Sequence, residues 1–172
     1  MNSDDHPLRL APVSGRALDG TERELPAELP AIITLVVVAF RQRQQRDVDA
    51  WIDLAVELGM TGTPLGAREP LDHAVIEVPV LGRRYLGARR LIDGGMATSI
   101  ADPAVLARTI TVYTDPGRFR RRSGITTADE VTAMLTARDG TVRWSATGPP
   151  GPKSRASLAT ALATGPPDLE RP

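Results

Sequence analysis

Residues 32–40, Ile-Ile-Thr-Leu-Val-Val-Val-Ala-Phe, form the longest apolar run in the chain. The run is rich in β-branched side chains and does not alternate, which is the pattern of a strand covered on both faces in an α/β sheet. Val48, Trp51, Ile52, Ala55 and Leu58 then recur at helical spacing. A helix is therefore predicted over 47–59, with Asp47 or Asp49 near the start, where the helix dipole favours an anion, and Gly59 near the end. The loop joining the two elements, 41–47, lies at the carboxyl end of the strand, where such folds place their chemistry. It contains arginine, glutamine and aspartate only.

The other elements follow in order. Residues 1–13 read as a flexible lead-in, and 17–25 place Asp19-Gly20 between two short arms, a strong hairpin signal. Pro26 and Pro30 lead to the central strand. Residues 61–70 read as a loop and 73–79 as a second buried strand with Pro79 at its exit. A right-handed crossover sets this strand parallel to the first. Residues 84–92 are amphipathic at helical spacing and stop at Gly94-Gly95. Asp102-Pro103 opens a short helix to about residue 108, followed by a third strand over 109–113. Asp115-Pro116-Gly117 reads as a turn, and 119–123 as one helical turn ended by Gly124. Strands at 130–136 and 141–146 flank Asp139-Gly140 as a closing hairpin. A helix over 154–164 ends the ordered part, leaving 165–172 as a flexible tail, so 14–164 is expected to be one domain.

Composition narrows the chemistry. The 172 residues carry 21 basic and 21 acidic side chains, and this neutrality argues against a general nucleic-acid binder or a membrane-surface protein held by charge. Lys153 is the single lysine, within an Arg-, Ala-, Gly- and Pro-rich, bacterial-type composition. The absence of cysteine removes disulfides, thiol catalysis and thiolate metal sites together, and His6 and His73 cannot build a histidine metal cluster. No metal, cofactor or catalytic residue is assigned. The acidic, polar amino terminus is unlike a signal peptide, and no apolar run approaches the roughly 20 residues of a membrane helix, so a cytoplasmic location is expected.

The order of hairpin, strand, helix, strand, helix, strand, hairpin and helix resembles the thioredoxin-like superfamily in its peroxiredoxin and thiol-oxidoreductase form. The residues that carry the likeness are Leu18-Asp-Gly-Thr21, the 32–40 strand running into a helix, Tyr113-Thr-Asp115 before Gly124-Ile125, and the closing segment 133–144. The resemblance implies a three-layer α/β fold, a central mixed sheet with leading and closing β-hairpins flanked by helices. Val142-Arg143-Trp144 with Gly148 is also similar to the closing motif of thioredoxin-like assembly factors of mitochondrial ATP synthase and their bacterial relatives, which act as assembly chaperones. In catalytic members the resemblance implies a nucleophilic cysteine in the loop after the first central strand and a cis-proline before the closing hairpin. Here that loop has no cysteine and residues 129–131 have no proline, so the redox activity does not carry over.

Arg41, Arg43 and Arg46 crowd the predicted helix start, where their charges oppose the dipole unless an anion or acidic partner sits there. They form the first candidate contact. Arg118, Arg120, Arg121 and Arg122, with Phe119 among them, form a second basic patch that suits an acidic protein surface or a phosphate backbone, or is simply solvated. Arg83, Arg84, Arg89 and Arg90 read as the solvated face of a helix, and Trp51 and Trp144 as core residues. His73 and Glu77 share one strand face without a third ligand or nucleophile beside them. The expectation is a redox-inactive, noncatalytic binding or assembly module with a protein partner. The alternative is an enzyme or small-ligand binder that holds an anionic substrate on the arginine loop, with Asp47 or Asp49 as base. Self-association is compatible with either.

Overall fold

The computed structural model describes residues 7–88 and 103–164. Along them run β1 (Val13–Ala17), β2 (Glu22–Leu25), β3 (Ala31–Ala39), α1 (Gln45–Glu57), β4 (Leu71–Gly82), α2 (Pro103–Leu106), β5 (Ile110–Thr114), α3 (Pro116–Arg122), β6 (Thr132–Ala137), β7 (Val142–Thr147) and α4 (Pro152–Ala163). Short 3₁₀ turns occur at Gln42–Gln44, Pro64–Gly66 and Arg83–Ala88. Among the described residues the seven strands make one sheet, in the order β2-β1-β5-β4-β3-β6-β7. β4 lies parallel to β3 and to β5, while β1 and β6 join from either side as antiparallel strands.

The unbroken apolar run of β3 is explained by its position between β4 and β6 with both faces covered. Ile33, Leu35, Val37 and Ala39 face a core completed by Val48, Trp51, Ile52 and Ala55 of α1 and Leu158 of α4. Val36 and Val38 face a second core with Phe119 of α3, Ile125, Leu29 and Leu10. The sheet is thus the middle of three layers.

Both hairpins turn by the same local chemistry. Asp19 Oδ1 and Asp139 Oδ1 accept the backbone N–H of the residue two positions on, each at 2.8 Å. Gly20 and Gly140 supply the positive φ, 93° and 90°, that a side chain with a Cβ resists.

Four readings change. β4 is longer than expected, and Pro79 sits within it, where pairing passes from β3 (through Pro79) to β5 (from Val80). Asp115-Pro116-Gly117 is the start of α3 rather than a free turn: Asp115 Oδ1 accepts from the Arg118 N–H at 2.8 Å, and Pro116 occupies a first-turn position that needs no donor. Where a helix is expected over 84–92, the described residues form the 3₁₀ turn Arg83–Ala88; residues 89–92 and Gly94-Gly95 lie outside the described residues, as do 1–6 and the expected tail, 165–172. Finally, part of the expected lead-in packs on the closing hairpin. Leu10 and Ala11 are buried, the Leu10 N–H donates to Gly140 O at 2.9 Å, and the Val142 N–H donates to Leu8 O at 2.8 Å.

Candidate functional site

The loop after β3 is built around Gln44. Its buried side chain folds back so that Oε1 accepts the N–H groups of Phe40 (2.8 Å) and Arg41 (3.0 Å), while Nε2 donates to Ala128 O at 3.1 Å. Two donors left over at the strand end are satisfied in this way, and the loop is fastened to the segment before β6. Arg41 and Arg43 reach the same segment: each Nη2 approaches Asp129 Oδ1, at 2.9 and 3.4 Å. The three side chains are 53%, 65% and 66% exposed, so these pairs contribute less than about 1 kcal/mol each. Arg46 is exposed and makes no ion pair with a described residue.

The structure therefore brings Arg41 and Arg43 together on one carboxylate, and leaves Arg46 to solvent. Asp49 accepts from Gln45 Nε2 at 3.0 Å on the surface of α1, and Asp47 stands in the first turn of that helix. Neither lines the two cavities at this end of the sheet. The loop does contribute Phe40 and Gln42 to one of them, a cavity of about 680 Å³ that also meets Arg83, Arg84 and Tyr85. The Arg84 guanidinium lies 5.0 Å from the Tyr85 ring centre, a cation–π contact.

The second basic patch divides on inspection. Phe119 points into the core, and Arg120 Nη1 donates to Ile125 O (3.1 Å) and Thr126 O (2.7 Å), closing the end of α3. Arg118, Arg121 and Arg122 stay exposed. Helical spacing makes Phe119 the inward residue of this helix, and reading the segment as a single turn obscured that.

Sequence reasoning missed Gln44, whose signature is a glutamine three positions after the residue whose N–H it caps. It named Glu77 beside His73 but missed its burial and its partners. Gln45 Nε2 donates to Glu77 Oε2 at 3.1 Å, and the Thr109 hydroxyl is shared between Glu77 Oε1 and Val105 O. His73 stands on the same strand but lines a separate cavity of about 310 Å³ between Met60 and Leu162. Among the described residues no three His, Asp or Glu side chains gather as a metal ion requires.

No family model matches the chain, and no curated protein matches it in sequence. Solved structures do match it. BsSco, a member of the Sco family of cytochrome c oxidase assembly proteins, aligns with a TM-score of 0.56 over 95% of this chain and 98% of its own, at 13% identity. The pneumococcal exposed lipoprotein thioredoxin of Streptococcus pneumoniae aligns at 0.52, over 89% and 99%, with 14% identity. The fold is thioredoxin-like. A secreted thiol-disulfide isomerase from Corynebacterium glutamicum aligns at 0.51 over 95% of both chains, with 17% identity. These identities carry the thioredoxin-like fold and nothing finer. On that fold, Arg41 to Arg46 lie in the loop where the resemblance places a redox cysteine, and Asp129 begins the segment, 129–131, where it places the cis-proline. With no cysteine in the chain, thiol–disulfide exchange has no nucleophile here.

Proposed function

We propose that this chain is a noncatalytic thioredoxin-like protein that serves as a protein-binding or assembly module, with the 41–47 end of the sheet as its contact surface. The observation that carries the reading is the closure of that end: Arg41, Arg43 and Gln44 tie the loop to Ala128 and Asp129 by side-chain bonds. A fixed, thiol-free surface suits recognition. The arginines remain more than half exposed while paired, so their outer N–H groups stay open to the carboxylates of a partner. BsSco belongs to a family of assembly proteins and shares the fold, which adds support of a general kind. Affinity purification from the native host, with a salt wash, tests the reading. Exchanging Arg41, Arg43 and Arg46 for glutamine should abolish retention of the partner. Retention unchanged by the triple exchange moves the contact elsewhere.

The alternative is a binder or enzyme for an anionic small molecule. Phe40 and Gln42 favour it, because they connect the loop to the cavity that holds Arg83 and Arg84. A thermal-shift screen of carboxylated metabolites separates the two readings: a saturable effect lost in Arg84→Gln supports the small ligand, and no effect with a copurifying protein supports the module.

A further inference from the structure

A second cavity, of about 540 Å³, opens between the leading hairpin and α3 and is not lined by any arginine of the 41–47 loop. It lies at the carboxyl ends of β4 and β5, the side of a parallel sheet where ligands collect. Three arginines converge on it from two elements: Arg83 from the turn after β4, and Arg118 with Arg122 from α3. The last two stand four residues apart, which places them on one helix face, where like charges repel.

Both lining carboxylates accept hydrogen bonds, and the Arg118 guanidinium also acts on Asp115 through its charge. Glu24 Oε1 accepts from the Ser14 hydroxyl at 2.6 Å. Asp115 accepts from the Arg118 backbone N–H, and that bond holds its carboxyl below the ordinary value of 3.8. By contrast, the side chains of Arg83, Arg118 and Arg122 make no hydrogen bond or ion pair with a described residue. Guanidinium forks arriving from separate directions match the oxygens of a phosphate, which accepts paired N–H bonds. The volume falls within the range of small-molecule sites, well above that of an inorganic ion, and Pro12, Val13 and Tyr113 offer apolar surface to an organic group.

We propose that this cavity binds a soluble phosphate monoester through Arg83, Arg118 and Arg122. The full chain is titrated with glycerol 3-phosphate and with inorganic phosphate at matched ionic strength, and binding is read by calorimetry and by amide chemical shifts. Saturable binding is expected, with shifts centred on Ser14, Arg83 and residues 114–122. The double variant Arg118→Gln, Arg122→Gln should weaken it roughly tenfold or more, whereas Arg143→Gln, an exposed arginine of β7 away from the cavity, should bind as the parent does. Where the double variant does not fold, Arg83→Gln alone should weaken binding in the same direction. Absence of saturable binding overturns the proposal. So does binding that survives both sets of substitutions, or shifts centred on residues 41–46. A phosphoserine hexapeptide that binds while glycerol 3-phosphate does not overturns it as well, because the arginines then serve a protein partner.

Discussion

Trp51 of α1 and Trp144 of β7 meet edge to face, their ring centres 5.8 Å apart and their planes inclined by 69°. Trp51 is fully buried and its Nε1–H donates to Gly148 O at 2.8 Å, while Trp144 Nε1–H donates to Ser157 Oγ of α4 at 3.0 Å. The segment Val142-Arg143-Trp144 with Gly148, which resembles an assembly-factor motif, thus has a packing role here: it joins the closing hairpin to both helices of one layer. Trp51→Phe removes the donor to a buried carbonyl and leaves a cavity, and should cost about 2 kcal/mol or more. Trp144→Phe, at a partly buried site, should cost about 1 kcal/mol. Urea unfolding measures both, and equal costs would contradict the clamp.

Glu77 holds α1 and the start of β5 together. Glu77→Ala takes away the acceptor for both Gln45 and Thr109 and should destabilise the fold by about 1–3 kcal/mol. Gln45→Ala breaks the same link from the exposed side and should cost under about 1 kcal/mol. Chemical denaturation of the two variants checks the order, and a neutral Glu77→Ala removes the network from the account of stability.

Two carboxylates, Asp139 in the closing turn and Asp115 at the start of α3, make stability depend on acid. Asp139 is held below its ordinary value of 3.8 chiefly by the Thr141 backbone N–H and then by the Thr141 hydroxyl; Asp115 is held below it chiefly by the Arg118 backbone N–H. A carboxyl whose folded value is depressed contributes stability above its unfolded value, and that contribution is lost as the pH falls through the folded one. Unfolding midpoints between about pH 6 and pH 2 should show the wild type ahead of Asp139→Asn by a constant margin at the upper end. The margin should close below the ordinary value of 3.8, because asparagine keeps an acceptor but has no charge to lose. A margin independent of pH would show that the charge of Asp139 adds nothing.

Thr34, in the middle of β3, is fully buried and its hydroxyl makes no hydrogen bond with a described residue. Valine has nearly the same shape without the polar atom, so Thr34→Val should stabilise the chain by about 1 kcal/mol and raise the melting temperature by about 2–4 °C. Calorimetry reads the shift directly. A lower melting temperature would mean that the hydroxyl contributes to folding after all.

Much of the fold is legible before folding is considered. The Asp19-Gly20 and Asp139-Gly140 hairpins are readable because the aspartate acceptor and the positive-φ glycine act within four residues. β3 and α1 are readable because burial on two faces and on one stripe leaves different periods in the sequence. The start of α3 is less so: a cap followed by proline opens a helix as readily as it makes a turn, and only the burial of Phe119 decides between them. Leu8 and Leu10 form too short a pattern to signal a segment lying along the closing hairpin.

The candidate site is legible in its residue types and not in its pairings. The sequence by itself determined the two hairpins, the doubly covered strand, the helix after it, and the want of any thiol where a thioredoxin-like protein would carry one. Only the tertiary structure decided that Arg41 and Arg43 meet Asp129, that Gln44 reaches Ala128, and that Arg83 shares a cavity with Arg118 and Arg122. The reason is physical: turns and periodic burial depend on neighbours along the chain, whereas a side chain's ionic and hydrogen-bond partners depend on which strand ends the closed sheet sets side by side.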